Sequence, residues 1–112
     1  MKRYKKRLKN IKEIVGRPMA TKVGLIKGRH DMPVEQYIIE DEIETLFDYD
    51  SIRKKVTKRI EQLKIPGRLE VYVTGLSAVL AEVIVCCKEK NIPLSLMHYN
   101  FETESYVEQM LW

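Results

Sequence analysis

The chain has few of the residues that build disulfide frameworks or metal centres. Its 112 residues include only two cysteines and two histidines. The cysteines, Cys86 and Cys87, are adjacent in an apolar run, and neighbours on a helix point about 100° apart, which disfavours a bridge between them. A zinc site needs more Cys or His ligands than lie near either one. The sequence therefore predicts two reduced core thiols, no metal and a reducing compartment.

Long apolar runs and nucleotide-cofactor motifs are also missing. No run reaches the roughly 18 apolar residues that a membrane-spanning helix needs. The basic N-terminus lacks the apolar core of a secretory signal, and it is too rich in Lys and too poor in Ser for a transit peptide. Neither the dinucleotide glycine fingerprint nor the phosphate-binding P-loop occurs. We therefore expect a cytoplasmic protein that uses no nicotinamide, ATP or other cofactor.

Positive charge is concentrated at the start of the chain. Nine of the twenty Lys and Arg residues lie within residues 1–22, against one acid, Glu13. The remaining 90 residues hold eleven basic and fifteen acidic residues, so the net charge of +4 comes from the head. The length and the hydrophobic content of 45% suit one domain with one core. We divide the chain into a basic segment, 1–20, forming a short helix or tail, and an α/β domain, 21–112.

Hydrophobic periodicity predicts seven elements in that domain. Strands are expected over 22–27, 36–40, 69–74, 94–99 and 106–111, and helices over 51–64 and 78–90. Asp50 or Ser51 is the expected cap of the first helix. The order β-β-α-β-α-β-β, with short links and right-handed crossovers, indicates a mostly parallel sheet that ends in an antiparallel hairpin. The second helix is apolar on most faces, which predicts burial against the sheet and a neighbour such as a dimer partner.

The strand-to-helix junction Thr74-Gly75-Leu76-Ser77 is the first candidate ligand site. In open parallel sheets, ligands bind beyond the carboxyl ends of the strands. Gly75 permits close approach of the backbone to a ligand, and the N–H groups that start the next helix suit an anion. The alternative is that Gly75 only makes the turn and Ser77 only caps the helix.

A basic turn, Lys27-Gly28-Arg29-His30, is expected at the same edge. Arg29 has the geometry for a bidentate clamp on phosphate, and His30 for holding phosphate or transferring a proton near neutral pH. The alternative is a solvated basic turn that pairs with Asp31.

A third candidate, His98-Tyr99-Asn100, ends the fourth predicted strand. Tyr99 and Asn100 suit a nucleobase or ribose. His98 lies on an apolar strand, where a hydrogen-bonded core histidine is the alternative reading. Together with His30 it would form an acid–base pair for metal-independent phosphodiester cleavage; a metal site built from both histidines and an Asp is the less favoured reading.

These three turns resemble those of a known family. An early Gly28-Arg29-His30 turn, the run Val73-Thr74-Gly75-Leu76-Ser77 leading into an apolar helix, and a last hairpin beginning His98-Tyr99-Asn100 are similar to the CRISPR-associated Rossmann-fold (CARF) domains and small ring-nuclease-like proteins. The resemblance implies a small Rossmann-like, three-layer α/β domain over residues 22–112. In that family, dimers bind cyclic oligonucleotide second messengers, and some members cleave the ring. Phage-encoded proteins of related function remove such signals by cleaving or sequestering them.

The resulting hypothesis is a homodimeric protein that binds a nucleotide-type signal at the strand ends. It would sequester or degrade that signal in antiviral defence or counter-defence, in a bacterial or phage-infected host cytosol; as an enzyme it would be a ring-nuclease-like phosphodiesterase. One alternative is a nucleic-acid-binding accessory protein, in which the basic head makes the phosphate contacts through Lys2, Arg3, Lys5, Lys6, Arg7 and Lys9. The head may otherwise be read as a solubilising tail or an arm on a partner subunit. The third hypothesis is an oligomeric module assembled through helix 78–90.

Overall fold

The computed structural model describes residues 20–28, 32–41 and 47–112. Along the chain these form β1 (Ala20–Ile26), β2 (Gln36–Ile39), α1 (Tyr49–Leu63), β3 (Arg68–Tyr72), α2 (Ser77–Glu89), β4 (Leu94–Asn100) and β5 (Ser105–Met110). The predicted basic segment 1–20 lies outside the described residues except for Ala20.

The five strands form one sheet in the order β2-β1-β3-β4-β5. Neighbouring strands from β2 to β4 are parallel, and β5 is antiparallel to β4. The predicted mostly parallel α/β sheet with two helices is therefore confirmed. From β1 the chain moves to β2 at one edge of the sheet, and from β3 it moves to β4 in the opposite direction. The direction in which the chain advances across the sheet therefore reverses between β1 and β3.

Helix α1 forms because its apolar residues repeat at helical spacing. Ile52, Val56 and Ile60 lie on one face and are buried. The Asp48 carboxylate accepts a hydrogen bond from the Ser51 backbone N–H at 3.2 Å and caps the helix. The predicted caps, Asp50 and Ser51, are wrong because the helix starts earlier, at Tyr49. The helix ends at Lys64, which is left-handed at φ 48°.

Both helices pack on the same face of the sheet. Ion pairs join them directly: Arg53 Nε lies 3.0 Å from Glu82 Oε1, and Lys90 Nζ lies 3.0 Å from Glu61 Oε2. Helices on opposite faces of a sheet cannot touch in this way. Of the three predicted layers, the described residues therefore show two, the sheet and one layer of helices. The reason is topological: both helical crossovers advance in the same direction, and right-handed crossovers then fall on one side.

The core lies between this helical layer and the sheet. Val23, Leu25, Val71 and Leu94 on the strands are fully buried, and from α2 so are Val79, Val83 and Cys87. Both cysteines are free and buried, as predicted, and burial raises the pKa of the Cys87 thiol to about 12. Within the described ranges, neither helix is long and apolar enough to cross a bilayer.

Met32, which precedes β2, packs on the opposite face of the sheet. A side chain at Gly24 would place its Cβ 2.6 Å from the Tyr37 ring and 2.7 Å from Met32 Cε. Tyr37 is the register partner of Gly24 on β2. The glycine is therefore required because the ring and the methionine pack directly on the β1 backbone.

Candidate functional site

A cavity of about 810 Å³ opens at the carboxyl ends of β3 and β4. This is the edge at which the sequence predicted a ligand site. Most of its described lining is apolar or aromatic, with one threonine and one histidine among the lining residues Met32, Pro33, Val73, Thr74, His98, Tyr99, Phe101 and Tyr106.

Thr74 supplies a polar group to this cavity. The preceding residue is still tied to the sheet, since the Val73 N–H donates to the Met97 carbonyl at 3.0 Å. The Thr74 hydroxyl oxygen is buried, and it has no hydrogen-bond partner among the residues that the structure describes. A buried hydroxyl without a partner costs about 1–3 kcal/mol. A ligand that hydrogen-bonds this oxygen would recover that cost.

The turn after Thr74 leaves the start of α2 without a side-chain cap. Gly75 has φ 82°, and nothing lies within 4 Å of the position that a Cβ would take there. Ser77 is the first helical residue, and the cap position belongs to Leu76, which makes no side-chain capping hydrogen bond. The prediction that Ser77 caps the helix is therefore wrong. The helix dipole and its first N–H groups are left for water or an anion.

A row of four aromatic rings borders the cavity. Their centroids are 4.8 Å apart for Tyr99 and Phe101, 5.2 Å for Tyr99 and Tyr106, and 4.7 Å for Tyr72 and Tyr106, all edge to face. The row runs from the buried Tyr72 to Phe101, which is 85% exposed. Its outer end offers aromatic surface of the kind on which planar rings stack.

The β4–β5 turn holds Phe101 in place. Asn100 Oδ1 accepts hydrogen bonds from the backbone N–H groups of Glu102 at 2.9 Å and Thr103 at 3.4 Å. The side-chain oxygen of Asn100 is therefore already hydrogen-bonded within the turn. These bonds compete with the predicted contact of Asn100 with a nucleobase or ribose.

His98 lies at the exposed rim of the cavity. Its Nε2 is 2.7 Å from Gln109 Oε1 on β5, and the side chain is exposed. The alternative reading as a core histidine is wrong, because β4 extends here beyond the residues that the helices bury. The predicted partner His30 lies outside the described residues.

The first predicted turn is only partly described, and its described part faces elsewhere. Lys27 Nζ lies 3.9 Å from Glu40 Oε2, and Arg59 Nη2 lies 2.7 Å from Glu40 Oε1. Gly28 is left-handed at φ 86° with open space around it. Arg29 lies outside the described residues. Lys27 is therefore engaged beside β2 and is not part of the described cavity lining.

The structure brings Thr74, His98 and Tyr99 to one cavity, with Gly75-Leu76-Ser77 beside it. Sequence reasoning missed Phe101 and Tyr106, and also Met32, Pro33 and Val73. The hairpin held a signal for Tyr106, because pairing Asn100 with Ser105 places Tyr106 opposite Tyr99. No local pattern indicated that Met32 and Pro33 would reach this edge.

The described residues contain no group of three or more His, Cys, Asp or Glu arranged to hold a metal ion. No family model matches the chain, and no curated protein or solved structure matches it either. Any assignment of function therefore rests on the geometry and chemistry of this cavity.

Proposed function

We propose that the protein binds a nucleotide-type ligand in the cavity at the carboxyl ends of β3 and β4. The observation that carries this proposal is the pairing of exposed aromatic rings with the buried, unpartnered hydroxyl of Thr74. A base would stack on Tyr99 and Phe101, since aromatic stacking accepts any base. A polar group of the ligand would hydrogen-bond Thr74.

The anionic part of such a ligand has a natural position at the start of α2. Uncapped N–H groups and the helix dipole favour negative charge there, and Gly75 lets the ligand approach the backbone. The cavity volume of about 810 Å³ falls within the roughly 300–1,000 Å³ of small-ligand sites.

The topology supports the same location. The strand order β2-β1-β3-β4-β5 reverses direction between β1 and β3, next to the β3 end of the cavity, and in open parallel sheets ligands bind outside the carboxyl ends of the strands near such a reversal. A Rossmann-like relationship is part of the proposal. Within the nucleotide class, the resemblance to CARF domains favours cyclic oligonucleotide signals, which a homodimer would sequester or degrade in antiviral defence or counter-defence.

Calorimetric titration of the full chain with cyclic oligonucleotides and NAD-derived signals tests the proposal. We expect one of them to bind, and Phe101→Ala to weaken that binding about tenfold or more, because base stacking contributes about 1–3 kcal/mol. Tyr49→Ala is the matched control, since Tyr49 is 54% exposed and does not line the described cavity.

Chromatography of the ligand after the titration distinguishes sequestration from degradation. If folded protein binds none of these compounds, or if both variants lose affinity equally, the proposal is contradicted.

A further inference from the structure

The face of the sheet opposite α1 and α2, here called the second face, carries charged and aromatic side chains. By register, side chains that pair across strands lie on the same face. Those on the second face include Lys22, Gly24, Tyr37, Arg68, Glu70, Tyr72, Ser95, Met97, Tyr99, Tyr106, Glu108 and Met110. Both described helices lie on the other face, so neither covers these residues.

The centre of the second face is nevertheless buried, although Lys22 is exposed and Met97, Tyr106 and Met110 are half-buried. Glu70 is 9% exposed, Glu108 is 3% exposed and Ser95 is fully buried. Among the described residues, Met32 covers Gly24, and Arg68 Nη1 donates to the Ser95 hydroxyl at 3.1 Å. Buried carboxylates are costly unless cations and hydrogen-bond donors lie close to them. Lys22 is the register partner of Glu70, and Arg68 precedes Glu70 by two residues on the same face. A basic cover would add further positive charge beside the two carboxylates.

Tyr72 lies near both carboxylates of this face. Burial is the main cause that raises the pKa of Tyr72, and the negative charges of Glu70 and Glu108 raise it further. The two carboxylates thus act on the same central part of the sheet, around β3, β4 and β5.

The chain itself carries a segment of matching chemistry. Residues 1–19 hold eight Lys and Arg residues against one acid, Glu13. They lead directly into β1 at Ala20, the register partner of Arg68, which is two residues before Glu70. Their apolar residues Tyr4, Leu8, Ile11 and Val15 recur at helical spacing. A helix over 4–15 would be about 17 Å long, enough to cross from β1 to β5 at about 4.8 Å per strand.

We propose that residues 1–19 bind the second face of the sheet in the same chain, with Lys and Arg side chains opposite Glu70 and Glu108 and the apolar stripe against Tyr72 and Met97. The basic side chains would then stabilise the fold. Binding of nucleic acid through Lys2 to Lys9 would require the segment to leave the sheet. This inference is independent of the nucleotide proposal.

Limited trypsin digestion of the full chain tests the proposal, because each Lys or Arg in residues 1–19 is a cleavage site. We compare Glu70→Gln/Glu108→Gln with Glu102→Gln/Glu104→Gln, which removes the same charge from the exposed β4–β5 turn. Cleavage within residues 1–19 is expected to accelerate about tenfold or more in the first variant, because proteolysis tracks the population of the open form. The control is expected to be cleaved like the unmodified protein.

Carbodiimide cross-linking of an equal mixture of ¹⁴N- and ¹⁵N-labelled unmodified chains gives a second readout that needs no variant. We expect links from lysines of residues 2–12 to Glu70 or Glu108 within chains of one label. Links between ¹⁴N and ¹⁵N chains, which random pairing in an equal mixture makes as frequent as links within one label, would show that a second copy supplies the cover. Cleavage of the unmodified segment at the rate of an unfolded peptide would show that nothing holds it. Either result overturns the proposal, even if the double variant does not fold.

Discussion

Polar groups are hydrogen-bonded at the amino end of the sheet, whereas at the carboxyl end some lack a partner among the described residues. At the amino end of β3 and β4, Arg68 Nη1 donates to Ser95 Oγ at 3.1 Å and to the Trp112 carbonyl at 2.9 Å, and Trp112 Nε1 donates to the Ile92 carbonyl at 2.7 Å. At the carboxyl end, the buried Thr74 hydroxyl has no partner and α2 starts without a side-chain cap.

The amino end of the sheet therefore contributes to stability, and the carboxyl end offers groups for binding. Satisfied polar groups at the amino end tie the C-terminus to β3 and β4. Unsatisfied groups at the carboxyl end lower stability and gain a partner only when a ligand arrives. Substitutions at the two ends should therefore have different consequences for unfolding and for binding.

The largest expected effect is at the amino end. Arg68→Met removes the donor to the buried Ser95 hydroxyl and one of two donors to the Trp112 carbonyl, which keeps the Leu94 N–H at 3.3 Å. It should lower the free energy of unfolding by about 2–3 kcal/mol, since a buried hydroxyl loses a charged donor. Urea denaturation measures this change. Arg53→Met, which breaks the exposed pair with Glu82, is the control and should have a much smaller effect. Equal losses would mean that the amino end is not specially stabilised.

A smaller effect of opposite sign is expected at Thr74. Thr74→Val removes a buried hydroxyl that has no partner, so the free energy of unfolding should rise by about 1 kcal/mol, while affinity for the ligand falls. Thr57→Val is the matched control, because Thr57 is a half-buried threonine of α1 that does not line the described cavity, so its exchange should leave affinity for the ligand unchanged. Denaturation with and without ligand measures both. Destabilisation by Thr74→Val would indicate that Thr74 has a partner in the free protein.

The smallest expected effect concerns the start of α2. Ser77→Glu places negative charge in a first turn that has no acidic residue, and it should stabilise the protein by about 0.3–1 kcal/mol. The same charge should repel an anionic ligand and weaken its binding. Ala81→Glu, exposed one turn later, is the control for charge alone. Unchanged affinity in Ser77→Glu would place the anionic group elsewhere in the cavity.

Much of the fold was predictable because it depends on local patterns. The stripe Ile52, Val56, Ile60 predicted α1, and the β-branched run around Val71 predicted β3. The glycines at 28 and 75 marked turns, and both have positive φ. The caps were harder to predict, because Asp48, Asp50 and Ser51 all suit a helix start, and Leu76 occupies a position where a hydroxyl was expected.

The sequence by itself determined the elements and the mostly parallel sheet, because periodicity and turn residues are local properties. Only the tertiary structure decided that both helices share one face, that Lys27 lies near Glu40, and that Tyr99, Phe101 and Tyr106 border a cavity with Thr74. These outcomes depend on strand order, register and crossover direction. They bring together residues far apart in the chain, and no single segment encodes them.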